Sequence, residues 1–337
     1  MQKTKKQELV IFLIIVGVAS FFRLYMMVPI ATMGTIFPPL IGVLTIIGLY
    51  LLVKELFEWR LAAIASYLAA ISFWHVSFSR MEDSAIIIPF VLVYTFYFLW
   101  KGLKHNHRPD FAMAGIFGGL GFYTNTSFYT TPIVVMLLFL NYWWYLKKDF
   151  NHAKYEYAKN KLLQGFVLLA LTAFAVALPA MISFWQQTAP MSSVGVNISV
   201  TSLVKTLGMF NFSDSPLLPW PIGIFFIVGF INELIHWLRR KHGHFSTIHT
   251  LLFAWFLIVL IPGFLSATAH NTLITIGVLP VVMIFTARGI WWFFDKLSSW
   301  YSMRDAHSVH EAPVITALVM IVFLFSIGFM EYWRYFK

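Results

Sequence analysis

Apolar runs of about 20 residues, separated by short polar segments, follow one another along almost the whole chain. A run of that length is what an α-helix needs to cross the hydrocarbon core of a bilayer. Asn125, Thr126 and Ser127 divide one apolar stretch, which can therefore form two short spans or one re-entrant hairpin. The pattern predicts an all-α, polytopic transmembrane helical bundle of about eleven spans, near residues 9–30, 36–53, 61–79, 85–102, 111–126, 129–146, 163–185, 220–238, 247–266, 272–294 and 312–333.

The composition supports a membrane protein and excludes several kinds of site. Hydrophobic residues make up 59% of the 337 residues and charged residues only 11%, whereas a soluble domain carries about 25% charged residues. The chain has no cysteine, which excludes disulfides, thiolate metal sites and cysteine nucleophiles. The first apolar run extends to Ile30, beyond the ~7–15 residues of a signal-peptide core, and predicts an uncleaved first span.

The basic residues predict the orientation of the bundle. With the N-terminus inside, the inner segments hold 19 of the 24 Lys and Arg residues, and this bias places the N-terminus in the cytoplasm and the C-terminus outside. The same distribution argues against nucleic-acid binding despite the net charge of +10, because the basic residues mark one membrane face. The outer side holds the other five, which are Arg23, Arg80, Lys205, Arg334 and Lys337.

The loops between the predicted spans are mostly short, and we expect a single transmembrane domain over residues 1–337 with no soluble C-terminal domain. The largest external loop runs over 186–219. Within it, the apolar residues of 199–210 recur near helical spacing, which predicts an interfacial helix lying on the membrane surface.

Polar groups near membrane depth are the candidates for chemistry, because they are costly there and tend to be functional. Arg80, Glu82 and Asp83 follow the third predicted span. A carboxylate pair beside an arginine could act as a general base and a phosphate clamp, or it could be an ordinary polar turn between helices. Arg23, in the outer third of the first span, could bind an anionic headgroup or extend to the interface. His75 is interpreted as a packed, hydrogen-bonded histidine.

The remaining polar groups have no motif of their own. His270 and Asn271 lie at an external turn, and Lys205 and Asp214 lie in the large external loop. Glu233 and His236, near the inner end of the eighth span, are interpreted as a polar edge that reaches for the interface. The sequence contains no Walker loop, no H-E-x-x-H and no nucleophile elbow.

Several stretches in order resemble a known family. They are FFRLY (21–25), IGVLTIIGLYLLVKELF (41–57) with FWHVSFSR (73–80), AGIFGGLGFYT (114–124), KTLGMFNF (205–212) and LITIGVLPVVMIF (273–285). This series resembles membrane glycosyltransferases of the GT-C fold, in the branch related to protein mannosyltransferases and aminoarabinose transferases. The resemblance implies transfer of a sugar from a polyprenyl-phosphate donor to an acceptor at the outer face of a prokaryotic plasma membrane. No cofactor is implied beyond that donor, and a divalent metal is left open.

The chain also departs from the family. Its members carry an acidic pair in a long first external loop, yet no Asp or Glu occurs here from Val10 to Val53. The family's histidine in the last motif aligns with Asn271, beside His270. The resemblance thus leaves Asp83, with Glu82, as the candidate catalytic acids. The candidate donor-phosphate ligands are Arg80, Arg23, His270 and Lys205.

Three functions remain open at this point. The first is an active glycosyltransferase, and the second is a non-catalytic descendant that binds a lipid phosphate or a partner protein. The third is a transporter or flippase, which broken helices with polar residues near the bilayer midplane would favour. The polar residues here gather at the outer face instead. The expected partners are membrane lipid, a polyprenyl-phosphate sugar and an acceptor that the sequence does not identify.

Overall fold

The computed structural model describes residues 2–25, 33–81, 84–124, 126–149, 152–186, 206–208, 210, 216–239, 244–265, 275–304 and 312–336. Over these residues the chain is almost entirely helical and contains no strand, so the predicted all-α class is confirmed. Short 3₁₀ segments occupy Ser84–Ile86, Gly121–Tyr123, Thr126–Thr130 and Ile276–Val278. The α-helices are α1 (Gln2–Leu24), α2 (Met33–Leu56), α3 (Trp59–Ile71), α4 (Phe73–Arg80), α5 (Ile87–His105), α6 (Arg108–Leu120), α7 (Thr131–Asp149), α8 (His152–Gln186), α9 (Trp220–Arg239), α10 (His244–Leu265), α11 (Leu279–Arg304) and α12 (Ala312–Phe336).

The helices make an integral, multi-pass membrane protein. Eight of those in the described ranges are long and apolar enough to cross a bilayer, and nine are if α3 and α4 count as one bent span. The helices α6 and α7 are not among them. The helix α6 packs on α5 and α8, whereas α7 packs on α10, so the two do not pack mainly on each other as a hairpin. The predicted number of about eleven spans and the orientation of the termini stay predictions.

Glycine residues allow the closest helix contacts. A Cβ at Gly229 of α9 would lie 1.8 Å from the Phe285 carbonyl oxygen of α11, and one at Gly289 would lie 2.0 Å from the Phe225 carbonyl oxygen. The Gly115 position of α6 meets α8 in the same way, at 2.4 Å from the Leu169 carbonyl oxygen. No side chain fits at such backbone contacts, so these glycines set how closely the helices approach.

The α3–α4 junction divides one apolar stretch into two helices. Ser72 has φ −55° and ψ 121°, a conformation outside the helical region, and the two helix axes meet at 55°. The predicted span over 61–79 is therefore a bent pair rather than a straight helix. The bend turns α4 toward the C-terminal end of α12, where Phe73 and Tyr335 pack with ring centroids 5.7 Å apart.

The predicted interfacial helix over 199–210 lies outside the described residues, except for 206–208, which are helical, and 210. Phe210 is buried, and its ring packs on Trp74, Phe226 and Phe256 at centroid distances of 5.9, 5.9 and 6.2 Å. Phe210 therefore anchors this loop in the core of the bundle.

Candidate functional site at the distal end of the bundle

The ends of α1 and α12 meet at one end of the bundle, where the Phe22 and Phe336 rings are 6.0 Å apart. This end, which we call the distal end, holds Arg23, His75, Arg80 and Arg334. The opposite end holds the start of α1, where Glu8 accepts a hydrogen bond from Lys54 at the end of α2. We call it the N-terminal end.

Arg23, in the last turn of α1, is fully buried. Its Nη1 donates hydrogen bonds to the carbonyl oxygens of Ala19 (2.9 Å) and Ala70 (3.0 Å), and its Nη2 lies 2.7 Å from His75 Nδ1. A buried cation is costly unless hydrogen bonds compensate for the loss of water. The three groups that Arg23 contacts belong to α1, α3 and α4. Nε has no hydrogen-bond partner among the described residues. In this structure Arg23 therefore ties three helices together instead of extending to the interface.

The tautomer of His75 follows from its contact with Arg23. A guanidinium can only donate, so the His75 Nδ1 that it contacts accepts, and the neutral ring carries its proton on Nε2. That nitrogen has no partner among the described residues. The interpretation of His75 as a packed, hydrogen-bonded histidine is confirmed, because the residue is fully buried.

Gly42 of α2 makes room for this pair. A Cβ at Gly42 would lie 2.7 Å from Arg23 Nε and 2.8 Å from Ser79 Cβ, closer than side chains approach one another. The absence of a side chain on α2 thus lets the Arg23 guanidinium and the inner face of α4 share one space.

Arg80, at the end of α4, is partly exposed and differs from Arg23 in its surroundings. Its Nη1 donates to the Phe22 carbonyl oxygen at 3.4 Å, and its guanidinium lies over the rings of Tyr335 (5.3 Å) and Phe336 (5.5 Å). Phe22 precedes Arg23 in the chain, so the structure brings the two predicted phosphate ligands to one place. Of the two, Arg80 is the one with accessible surface.

Two further charged residues at this end went unrecognised as site residues in the sequence. Glu331 of α12 is buried, and its Oε2 accepts the backbone N–H of Phe73 at 2.9 Å. Arg334 donates from Nη2 to the Pro216 carbonyl oxygen at 2.5 Å and lies 4.6 Å over the Phe73 ring. Their i,i+3 spacing in EYWR was the available signal, but residues in the last turn of a span are usually interfacial.

The other predicted site residues lie outside the described residues. They include both candidate catalytic acids, Glu82 and Asp83, and two candidate phosphate ligands, Lys205 and His270. Their roles stay predictions. Within the described ranges, no group of three His, Asp or Glu side chains is gathered as a metal site would require.

Glu233 corrects the sequence interpretation of a polar edge. The residue is fully buried, and its carboxylate contacts Arg288 Nε of α11 at 2.6 Å and His249 Nε2 of α10 at 2.9 Å. The prediction that Glu233 reaches for the interface is wrong because a cation from a neighbouring helix meets it inside the bundle. Arg288 in turn lies over the Phe57 ring, which places this cluster at the N-terminal end.

A cavity of about 570 Å³ lies among α5, α6, α7 and α8. Apart from Thr95 and Thr131 its lining is apolar. Two lining side chains, Met136 and Phe174, are 62% and 56% exposed. The cavity therefore opens at the side of the bundle, where lipid would be. Representative lining residues on the four helices are Thr95, Gly118, Met136, Phe166, Phe174 and Met181.

Known proteins share this architecture. The family described as dolichyl-phosphate-mannose-protein mannosyltransferase matches residues 31–182. The Archaeoglobus fulgidus oligosaccharyltransferase, solved with Zn and sulfate, superimposes with a TM-score of 0.54 at 18% identity, over 88% of this chain and 41% of that one. The chain therefore shares the fold of this oligosaccharyltransferase, a GT-C enzyme. This confirms the resemblance that the sequence motifs predict.

A second structure of the archaeal enzyme, AglB with an inhibitory peptide and a dolichol-phosphate, superimposes on this chain with a TM-score of 0.52 at 16% identity. It covers 88% of this chain and 44% of AglB, so the chain spans less than half the length of the solved structures it matches. No curated protein sequence matches this chain. Every residue that lines the cavity, from Thr95 to Met181, falls within the stretch that matches the family.

Proposed function

We propose that the chain is a membrane glycosyltransferase that moves a sugar from a polyprenyl-phosphate donor to an acceptor at the outer face. The observation that carries this proposal is the sideways-open apolar cavity within residues 31–182, the stretch that matches a family named for a dolichyl-phosphate sugar donor. A related structure holds a dolichol-phosphate. We further propose a prokaryotic plasma membrane as its location.

The shape of the cavity suits a prenyl chain. Its lining residues on α8 extend from Leu163 to Met181, which corresponds to about 27 Å of helix at 1.5 Å per residue. This length is comparable to the thickness of the hydrocarbon core. An isoprenoid offers no hydrogen-bonding groups, and apolar walls recognise it by shape and by contact area. The opening beside Met136 and Phe174 would let the chain enter from the lipid phase.

The distal end supplies the charge that a lipid phosphate requires. Arg80 is the described cation best placed to bind it, because its guanidinium rests on two rings and on one backbone carbonyl, with accessible surface left. An arginine can bind phosphate through two donors at once. Arg23, which is buried, would contribute a fixed positive charge near the phosphate without contacting it. Lys205 and His270 are proposed as additional ligands.

The chemistry we propose is an inverting displacement. The acceptor hydroxyl oxygen attacks C1 of the sugar, the bond from C1 to the phosphate oxygen breaks, and polyprenyl phosphate leaves with the electron pair. The carboxylate of Asp83, or of Glu82, takes the proton of the hydroxyl, and the cations stabilise the charge on the leaving phosphate. The positive-inside bias would place this end of the bundle outside.

A binding measurement tests the cavity. Ala170 lines it and Ala175 does not, although both are exposed on α8. Replacing Ala170 with tryptophan should fill the cavity and weaken undecaprenyl-phosphate binding in nanodiscs about tenfold or more. The matched change Ala175→Trp should leave the affinity unchanged. Equal affinities in the two variants and the unmodified protein would exclude the cavity as the prenyl site.

A transfer measurement tests the chemistry. The double variant Glu82→Gln/Asp83→Asn should lose about 10²–10⁴-fold in transfer of labelled sugar from its polyprenyl-phosphate donor, assayed in membranes. Donor affinity should remain, because amides keep the size of both side chains. Unchanged transfer by the double variant would remove these two acids from the mechanism.

A second function is favoured by one specific observation. At the distal end, the carboxylate found within the described ranges is Glu331, which is buried and already accepts the N–H of Phe73. A GT-C descendant without a working base would bind a lipid phosphate and transfer no sugar. Tight undecaprenyl-phosphate binding by a purified protein that shows no transfer would support this alternative.

A further inference from the structure

The start of α4 lacks a local cap. The first N–H groups of any helix have no partner within the helix and need one from elsewhere. Ser72, at the N-cap position, makes no side-chain hydrogen bond to them. The N–H of Phe73 is instead taken by Glu331 Oε2, at 2.9 Å, from a helix 258 positions away in the sequence. A carboxylate that α12 supplies thus caps the first residue of α4, directly after the bend.

The burial of Glu331 makes this contact specific. The residue is 1% exposed, and a carboxylate is costly at such a place unless groups of opposite polarity surround it. The positive end of the α4 dipole lies at Phe73, and Arg334 Nη1 lies 3.8 Å from Oε1. Both place positive polarity beside the buried carboxyl group of Glu331.

The same end of α12 also holds the other end of α4. Tyr335 and Phe336 carry the two rings on which the Arg80 guanidinium rests. The helix α4 has only eight residues, about 12 Å in length. Glu331 at its first residue and the two rings at its last therefore hold α4 at both ends against the last six residues of α12, Glu331 to Phe336.

We propose that Glu331 is a positioning residue that sets where Arg80 presents its guanidinium to the lipid phosphate. The inference rests on the proposed function, because it gives Arg80 a phosphate to bind. Glu331 itself touches neither donor nor acceptor. It acts through the Phe73 N–H and the orientation of α4, so its removal should matter only while Arg80 is present.

A double-mutant cycle separates this role from a merely structural one. Glu331→Met removes the acceptor, and it should weaken undecaprenyl-phosphate binding about tenfold, whereas Glu331→Gln keeps an acceptor oxygen and should restore most of the affinity. In an Arg80→Gln background, Glu331→Met should change affinity less than about twofold. Phe329→Leu, on the exposed face of α12, serves as the control and should have no effect.

Hydrogen exchange provides the second readout. The Phe73 amide should exchange faster in Glu331→Met and at the original rate in Glu331→Gln. If the methionine variant does not fold, Glu331→Asp, whose shorter side chain keeps the charge but withdraws from Phe73, serves in its place. Losses that are equal with and without Arg80 would refute the positioning role alone. A wild-type chain that binds no undecaprenyl phosphate would refute the proposed function, and the ligand role of Arg80 with it.

Discussion

Charged side chains have different kinds of partner at the two ends of the bundle. At the N-terminal end, buried or half-buried carboxylates meet cations from other helices, as in Glu55 with Lys104 (2.9 Å), Asp110 with Lys101 (3.4 Å) and Glu233 with Arg288 (2.6 Å). At the distal end, Arg23 and Arg80 rest on backbone carbonyls, on a neutral histidine and on aromatic rings.

This difference separates a scaffold from a binding surface. Within each of these three pairs the opposite charges largely cancel, so the paired side chains do not by themselves attract an anionic ligand. Cations held by dipoles and rings keep most of their positive potential, which in a region of low dielectric attracts an anion strongly. The comparison therefore predicts that substitutions at the N-terminal end alter stability, and that substitutions at the distal end alter binding of a lipid phosphate.

The largest expected effect is the loss of Glu233. Replacement by leucine leaves Arg288 and the buried His249 facing each other without their carboxylate, which should cost about 3–5 kcal/mol of unfolding free energy. The measurement is thermal or denaturant-induced unfolding of the detergent-purified protein. Glu58→Gln, at an exposed carboxylate of the same end, should stay within about 0.5 kcal/mol of the parent. A loss below about 1 kcal/mol in the leucine variant would argue that the cluster is not a structural element.

A smaller effect is expected where Gly42 meets Arg23. The new methyl group of Gly42→Ala would lie 2.7 Å from Arg23 Nε, so the guanidinium or α2 must move, at about 1–3 kcal/mol. The matched change Gly17→Ala, on α1, meets no atom within 4 Å and should not destabilise the protein. Both are measured by unfolding and by undecaprenyl-phosphate binding. If the two variants behave alike, the packed arrangement at Gly42 is not what holds Arg23.

The length of the apolar runs predicted where the helices lie better than it predicted where they begin and end. The predicted span 163–185 lies within α8, but that helix begins at His152, because the polar segment before it continues the helix with a Glu156–Lys159 pair. The span over 61–79 contains the bend at Ser72, whose stabilising partner, Glu331, is far away in the sequence. The periodicity of apolar residues indicates which side chains face lipid or the core. It does not show that a residue far away in the sequence caps a helix.

The candidate site was predictable in its location and not in its connections. The predicted spans place Arg23 and Arg80 on the same side of the bundle, and the structure brings both to the distal end. That Arg23 is fully buried follows from the absence of a side chain at Gly42 and from carbonyls on α1 and α3, which only the packed fold shows. Glu233 was misinterpreted for the same reason, since its partners belong to other helices.

The smallest effect should come from Lys104→Gln, which tests whether the pairs nearest the surface matter at all. Lys104 and Glu55 are 2.9 Å apart, but their side chains are 41% and 26% exposed, so water screens the pair and its contribution should stay below about 1 kcal/mol. Unfolding at low and at high salt should differ less in the variant than in the parent, because salt weakens only a pair that exists. Undecaprenyl-phosphate affinity should not change. A clear loss of affinity would mean that the charges of the N-terminal end reach the ligand, and the division between a scaffold end and a binding end would then have to be abandoned.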